Sequence, residues 1–290
     1  MPDLLPPPPF SPLLGRAAVW LLAILGVALV ALAITPASDL AVSVALVTPD
    51  SPFATAIQRW GEVPGLLVAS LALWFVPIPI GGMSPAHAVL RAVGHAGAVF
   101  YVLWAFAGHG SLSELGRAEV SAGIALALAA GAALTWARRR VHVLPTPERE
   151  HFWRVTLALA IGGSLVVLAF KLGFGRIRFR EMLEDLDQFS PWWIPHGLTG
   201  HASFPSGHTF WSWVVLPIVA LVPPRRRVLA LVAALAWPVT VALGRVVAGA
   251  HFLSDVLFAS VVAVLVVLLA ERAARRAALA SEGGEKRELD

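Results

Sequence analysis

About eight long apolar stretches run through this chain, at roughly 17–34, 65–82, 86–107, 119–137, 152–171, 207–222, 228–244 and 251–270. A helix needs about 20 mostly apolar residues to cross the hydrocarbon core of a bilayer. The second stretch is broken by Pro77 and Pro79, and the sixth and seventh are short. Composition agrees with insertion in lipid. Of 290 residues, 58% are hydrophobic and 14% are charged, whereas a soluble domain averages about a quarter charged. The expected fold is all-α: a polytopic transmembrane helical bundle of about eight spans.

The net charge is +4 and the sequence pI is about 10.5. In a soluble protein that balance would suggest nucleic acid. Here the arginines gather at the ends of apolar stretches, which points to topology and the membrane surface, with no nucleic-acid partner. The runs "RRR" at 138–140, "RRR" at 225–227 and "ERAARR" at 271–276 fall on one side of an eight-span arrangement, together with Arg16 and Arg91. Basic loops stay cytoplasmic. Both termini are then inside, and segments 35–64, 108–118, 172–206 and 245–250 face outward. The string "ALAITPAS" after the first apolar run can be read as a signal-peptidase site. Pro2–Pro9 and Asp3 make a poor signal n-region, so the segment reads as an uncleaved anchor. Segment 38–47 is too short to span and is placed along the outer interface. The absence of cysteine excludes disulfides, thiolate catalysis and cysteine-bound metal.

The division expected is a disordered lead at 1–16, N-terminal transmembrane helices of unknown role at 17–150, a catalytic transmembrane domain at 151–272 and a polar tail at 273–290. The chemistry concentrates in the last two outward segments. Lys171 ends the fifth stretch, and "GRIRFRE" brings Arg176, Arg178 and Arg180. Lys171, Arg178 and Arg245 are cations on the face that ordinarily lacks them, and an anionic ligand would hold them there. Arginine presents a planar fork to phosphate oxygens and lysine a point charge. "FPSGHTF" then opens the sixth stretch. Pro205 suits a helix start, Gly207 lets an oxyanion approach the backbone, and Ser206 offers a hydroxyl. His208 stands at the rim. In "GRVVAGAHFLSD", His251 and Asp255 have the i, i+4 spacing that shares a helix face. A carboxylate beside a histidine fixes its tautomer and stabilises the imidazolium.

These three strings resemble the type 2 phosphatidic acid phosphatase (PAP2) superfamily, whose helical fold is shared with vanadium haloperoxidases and bacterial nonspecific acid phosphatases. The resemblance covers about 155–270. The pattern K-x6-R-P is matched by Lys171 and Arg178, with Phe179 in place of proline. P-S-G-H is matched in full at Pro205–His208. S-R-x5-H-x3-D is matched by Arg245, His251 and Asp255, with Gly244 in place of serine. Membrane members commonly have six helices, so this chain carries two extra N-terminal ones.

The resemblance implies an integral-membrane lipid phosphate phosphatase of the cytoplasmic (inner) membrane, acting at the extracytoplasmic face without a cofactor or metal. His251 would attack phosphorus and become a phosphohistidine, Asp255 would orient it, and His208 would protonate the leaving oxygen and then activate water. Lys171, Arg178, Ser206, Gly207 and Arg245 would bind the phosphate oxygens. Arg176 and Arg180 are candidate headgroup contacts, as are Trp192 and Trp193, which suit a membrane interface. Segment 189–201 reads as an interfacial flap over the site. His196 and His201 beside His208 lack the carboxylate and spacing of a zinc site, and no metal is assigned. The partners expected are membrane lipids and a lipid phosphate substrate. The alternatives are a lipid phosphotransferase using the same site and a non-catalytic lipid transporter or scaffold.

Overall fold

The computed structural model describes residues 12–34, 38–48, 50–77, 83–107, 117–140 and 146–289. Most of the proline-rich lead, the TPA of the possible cleavage site, Pro79 and most of the 108–118 loop lie outside them. The described residues hold eleven α-helices and no strand. They are α1 (Pro12–Ile34), α2 (Asp39–Leu46), α3 (Pro52–Trp60), α4 (Val63–Phe75), α5 (Pro85–Ala107), α6 (Arg117–Arg140), α7 (Pro147–Leu157), α8 (Ser164–Phe174), α9 (Gly207–Ser212), α10 (Arg227–Val247) and α11 (Leu253–Leu289).

Within the described residues each apolar stretch falls largely on a helix or a helical run, the second only as far as Phe75. Among the described residues, three helical segments are long and apolar enough to cross a membrane: Pro147–Glu181, Pro224–Val247 and Leu253–Ala273. A fourth forms if Leu21–Ile34 and Asp39–Leu46, bent by 96°, count as one broken span. α4 stops at Phe75, two residues before Pro77. The sixth stretch is α9 followed by a 3₁₀ run, Trp213–Leu221, that contains Pro217. Between α7 and α8 the helix widens into a π turn, Ala158–Gly163. There the Phe210 ring lies so close to Gly163 that a Cβ would come within 2.2 Å of it. The polar tail continues α11 as helix to Leu289, as its Ala, Glu, Lys and Arg content favours.

The main core joins α7, α9 with its 3₁₀ continuation, and α11, through Phe152, Val155, Leu159, Phe210, Val214, Ala263 and Val264. Val68 and Ala72 of α4 and Leu21 of α1 close it from the N-terminal half. The outward faces remain apolar: Val27 and Val30 on α1, Leu165 and Leu168 on α8, Leu229 and Val239 on α10, and Leu269 on α11 are exposed. So much apolar surface on several helices would be anomalous in water and is the ordinary condition in lipid.

One end of the bundle collects the basic runs. Arg91 donates to the Leu73 and Val76 carbonyls, both at 2.6 Å, and Arg138 donates to the Trp74 carbonyl at 2.5 Å. Two buried arginines thereby cap the C-terminus of α4, where the helix dipole favours cations. Arg149 lies over the Phe75 ring at the same end, and His151 pairs with Glu271 at 2.8 Å. The sequence motifs lie at the opposite ends of these helices.

Candidate active site

Three chain reversals build the site: the end of α8 with the loop after it, the start of α9, and the turn from α10 to α11. His251 lies in that last turn, two residues before α11 begins, and not on the helix as its spacing to Asp255 suggested. Gly249, at φ +62°, makes the turn. The His251 Nδ1–H donates to the Ser203 carbonyl at 2.6 Å, and Asp255 Oδ2 lies further off at 3.5 Å. The carbonyl is the shorter contact and accepts only, so Nδ1 carries the proton and Nε2 keeps its lone pair. Burial pushes the His251 imidazole down to about 3 against the opposing Asp255 hydrogen bond, and the charges of Arg245 and Lys171 push the same way. The histidine is therefore neutral at neutral pH, as a nucleophile must be.

Asp255 is fully buried and fully engaged. Its Oδ2 accepts from Ser203 Oγ at 2.5 Å and from the Phe252 N–H at 2.9 Å. Its Oδ1 accepts from Arg176 Nη1 at 2.6 Å. That contact corrects the reading of Arg176 as a headgroup ligand. Arg176 is 1% exposed. It also donates from Nη2 to Asp39 at 3.1 Å and from Nε to the Ser190 carbonyl at 2.9 Å, and its guanidinium lies 4.0 Å from the centre of the Phe252 ring. Asp39 accepts from the Ser254 N–H at 2.9 Å and from its hydroxyl. α2 is thus fastened into the C-terminal half by a buried ion pair, and its polar face does not simply rest on a membrane surface.

Ser206 is buried and caps α9, accepting from the Thr209 N–H at 3.4 Å and the Thr209 hydroxyl at 3.0 Å. A Cβ on Gly207 would stand 3.8 Å from Lys171 Cε and 3.9 Å from Glu62 Oε1, so the glycine fronts a space with a cation on its wall. Lys171 Nζ donates to the Ala202 carbonyl at 2.7 Å. It lies within electrostatic range of Arg178, Arg245, Glu62 and Asp255. Arg178 pairs with Glu181 at 3.1 Å, while its Nε is buried without a hydrogen-bond partner. Arg245 donates to Gln58 Oε1 at 3.2 Å, and Arg180 reaches the same oxygen at 3.5 Å. His208 Nδ1 is 2.9 Å from Glu62 Oε1, and its Nε2 is 3.1 Å from the Gln58 carbonyl.

The structure therefore gathers Lys171, Arg178, Arg180, Ser206, Gly207, His208, Arg245, His251 and Asp255. It withdraws Arg176 into the support beneath them. Trp192 is half-buried and stacks on Phe204 with ring centres 5.9 Å apart, while Trp193 is exposed. Segment 189–201 is tied to the end of α8 by the His196 and Gly197 N–H groups, which donate to the Phe174 and Gly173 carbonyls. Sequence reasoning missed Asp39, Gln58, Glu62, Glu181 and Ser203. The only local signal for any of them was a charged, amide or hydroxyl side chain in a segment expected to face outward.

The two departures from the motif pattern have packing reasons. Phe179 is buried against Phe252 and Met182. At Gly244 a Cβ would lie 2.6–2.8 Å from three side-chain atoms of Ile57. A serine there is excluded by α3, which delivers the neighbouring Gln58 to Arg245. Gly244→Ser is expected to lower stability by about 1–3 kcal/mol, as overpacking does, and to weaken phosphate binding. Adding Ile57→Ala removes the contacts to Cγ1 and Cγ2 but leaves the Ile57 Cβ at 2.7 Å and empties a buried site, so it should recover only a small part of the stability. Thermal unfolding of the detergent-purified single and double variants checks this.

Residues 151–277 match the family model of the PAP2 superfamily. This half of the chain is a PAP2 domain, set in a protein with several helices able to cross a membrane, and at that level its chemistry is that of a phosphatase. No curated protein and no solved structure matches the chain.

Proposed function

We propose that the protein is an integral-membrane lipid phosphate phosphatase that works through a phosphohistidine at the extracytoplasmic face. The observation that carries this reading is His251: buried, neutral, with Nδ1–H held by Ser203, and with Lys171 and Arg245 close by. Nε2 attacks phosphorus as the bond to the leaving oxygen breaks, and His208 gives that oxygen a proton. Water then attacks the phosphohistidine, His208 takes its proton, and inorganic phosphate leaves. Lys171, Arg178 and Arg245 balance the charge of the phosphoryl group in flight. The buried, unpaired Nε of Arg178 is a donor that a phosphate oxygen would satisfy. Outward orientation rests on the basic runs gathered at the opposite end of the bundle.

The test is phosphate release by detergent-purified protein from phosphatidate, phosphatidylglycerol phosphate, undecaprenyl diphosphate and phosphorylated lipid A, with and without EDTA. Release from at least one of them, unchanged within about twofold by EDTA, is the expected result, since the cations here supply the positive charge that a metal ion supplies elsewhere. Label passing to a lipid acceptor in place of water would make the protein a transferase. No turnover of any kind would leave the scaffold reading.

A further inference from the structure

Glu62 belongs to none of the motifs and lies well outside the segment that matches the PAP2 model. It occupies the kink between α3 and α4, and two close approaches carry it to the site. Gly65 lies so near the Trp211 carbonyl that a Cβ would come within 2.1 Å of that oxygen, and Gly244 admits Ile57. α4 and α3 thus press against α9 and α10 at the level of His208. Glu62 is largely buried there, and its carboxylate is 2.9 Å from His208 Nδ1.

Both nitrogens of His208 face acceptors: a carboxylate at Nδ1 and the Gln58 carbonyl at Nε2, 3.1 Å away. That arrangement is satisfied only when both nitrogens carry protons. A protonated imidazole with Glu62 as counter-ion is the form that a general acid needs. Glu62 also lies within electrostatic range of Lys171, so the same carboxylate faces both the lysine and the histidine. Nε2–H then needs only to exchange the Gln58 carbonyl for the departing oxygen.

We propose that Glu62 is a positioning residue for His208: it holds the ring and the charge from which the leaving oxygen takes its proton, so the N-terminal half completes the catalytic site. The proposal rests on the phosphohistidine reading. It implies a substrate class, esters whose leaving alkoxide is too basic to depart unprotonated, such as the alkyl phosphates of glycerolipids.

The test uses the full chain in detergent and follows one turnover, as labelled phosphate appears on His251. Two amphiphilic substrates of matched shape are compared, a dodecylphenyl phosphate and its nitro-substituted analogue, whose departing phenolate is much less basic. Wild type should phosphorylate from both. Glu62→Gln should slow the plain phenyl ester about 10- to 100-fold, part of the effect ordinarily supplied by general acid catalysis. It should slow the nitro ester by less than about fivefold, and Glu62→Asp should fall between wild type and Glu62→Gln on the phenyl ester. Equal loss on both esters would mean that Glu62 only holds the fold and would overturn the proposal. Wild-type rates on both would overturn it too, with the phosphohistidine reading left standing. Absence of label on wild-type His251 would remove that reading and this proposal together.

Discussion

His251→Ala releases no phosphate above background, a loss of at least about 10⁴-fold of the kind seen when a covalent nucleophile is removed. The size follows from the absence of a substitute. Among the described residues near the space in front of Gly207, His208 has both nitrogens against acceptors, and Lys171 donates to the Ala202 carbonyl. The variant should keep its fold, because His251 makes one side-chain hydrogen bond to a carbonyl and one longer contact to Asp255, and substrate should still bind the cations. The measurement is acid-labile label on the protein after mixing with radiolabelled substrate, present in wild type and missing in His251→Ala. The pH dependence has a definite sign. With its imidazole pushed down to about 3 by burial, His251 is deprotonated well above that value, and protonation removes the nucleophile only as pH falls toward it. Lowering pH from 8 to 5 should therefore leave the fraction of nucleophilic His251 unchanged. A loss of nucleophile centred near the ordinary imidazole value of about 6.5 would contradict the burial of this ring.

The three motif strings were legible because their parts are close in sequence and their polar groups are costly in lipid. Lys171 and Arg178 are one loop apart, Ser206, Gly207 and His208 are consecutive, and Arg245, His251 and Asp255 fall within eleven residues. Apolar stretches marked where the long helices lie, but among the described residues three helical segments, four with the bent pair, have the length and apolarity to span, so the count of about eight is not confirmed. The turn at Gly249 was not legible, because a spacing of four fits a helix and also a turn with its first helical residues. Nor could the sequence show what meets what across the chain. Asp39 reaches Arg176 over 137 positions, Gln58 reaches Arg245 over 187, and the Gln58 carbonyl meets His208 over 150. No local period encodes such pairings. They depend on α3 and α4 packing against α9 and α10, which is set by glycines whose role appears only when the opposing Ile57 and Trp211 are in view. Arg176 looked superfluous because two better-placed cations stood beside it. Its burial depends on Asp39, and Asp39 sits in a segment that offered no reason to enter the core.

Arg176→Met should be the most destabilising single change in the catalytic half. The native arrangement is one guanidinium between two fully buried carboxylates, with Ser254, the Ser190 carbonyl and the Phe252 ring taking its remaining faces. Removing the arginine leaves Asp39 and Asp255 with no positive partner between them. Breaking a buried pair from one side costs about 3–5 kcal/mol, on the order of a 10 °C fall in apparent Tm for a domain of this size. Asp39→Asn keeps the arginine paired with Asp255 and gives up one charged hydrogen bond, so about 1–3 kcal/mol is expected. Combining Arg176→Met with Asp39→Asn removes the facing negative charge, and the double variant should be more stable than Arg176→Met alone, a coupling that only contact between the two sites produces. Activity separates support from catalysis. Asp39→Asn should retain most of kcat, because Asp255 keeps its contacts to Arg176, Ser203 and the Phe252 N–H. Arg176→Met should lose kcat more than KM even at a temperature where it is folded, because the carboxylate beside His251 has lost the group that fixes its outer oxygen. Thermal unfolding and steady-state kinetics on the three detergent-purified variants decide it. An Arg176→Met protein as stable as wild type would mean that the two carboxylates do not share that guanidinium.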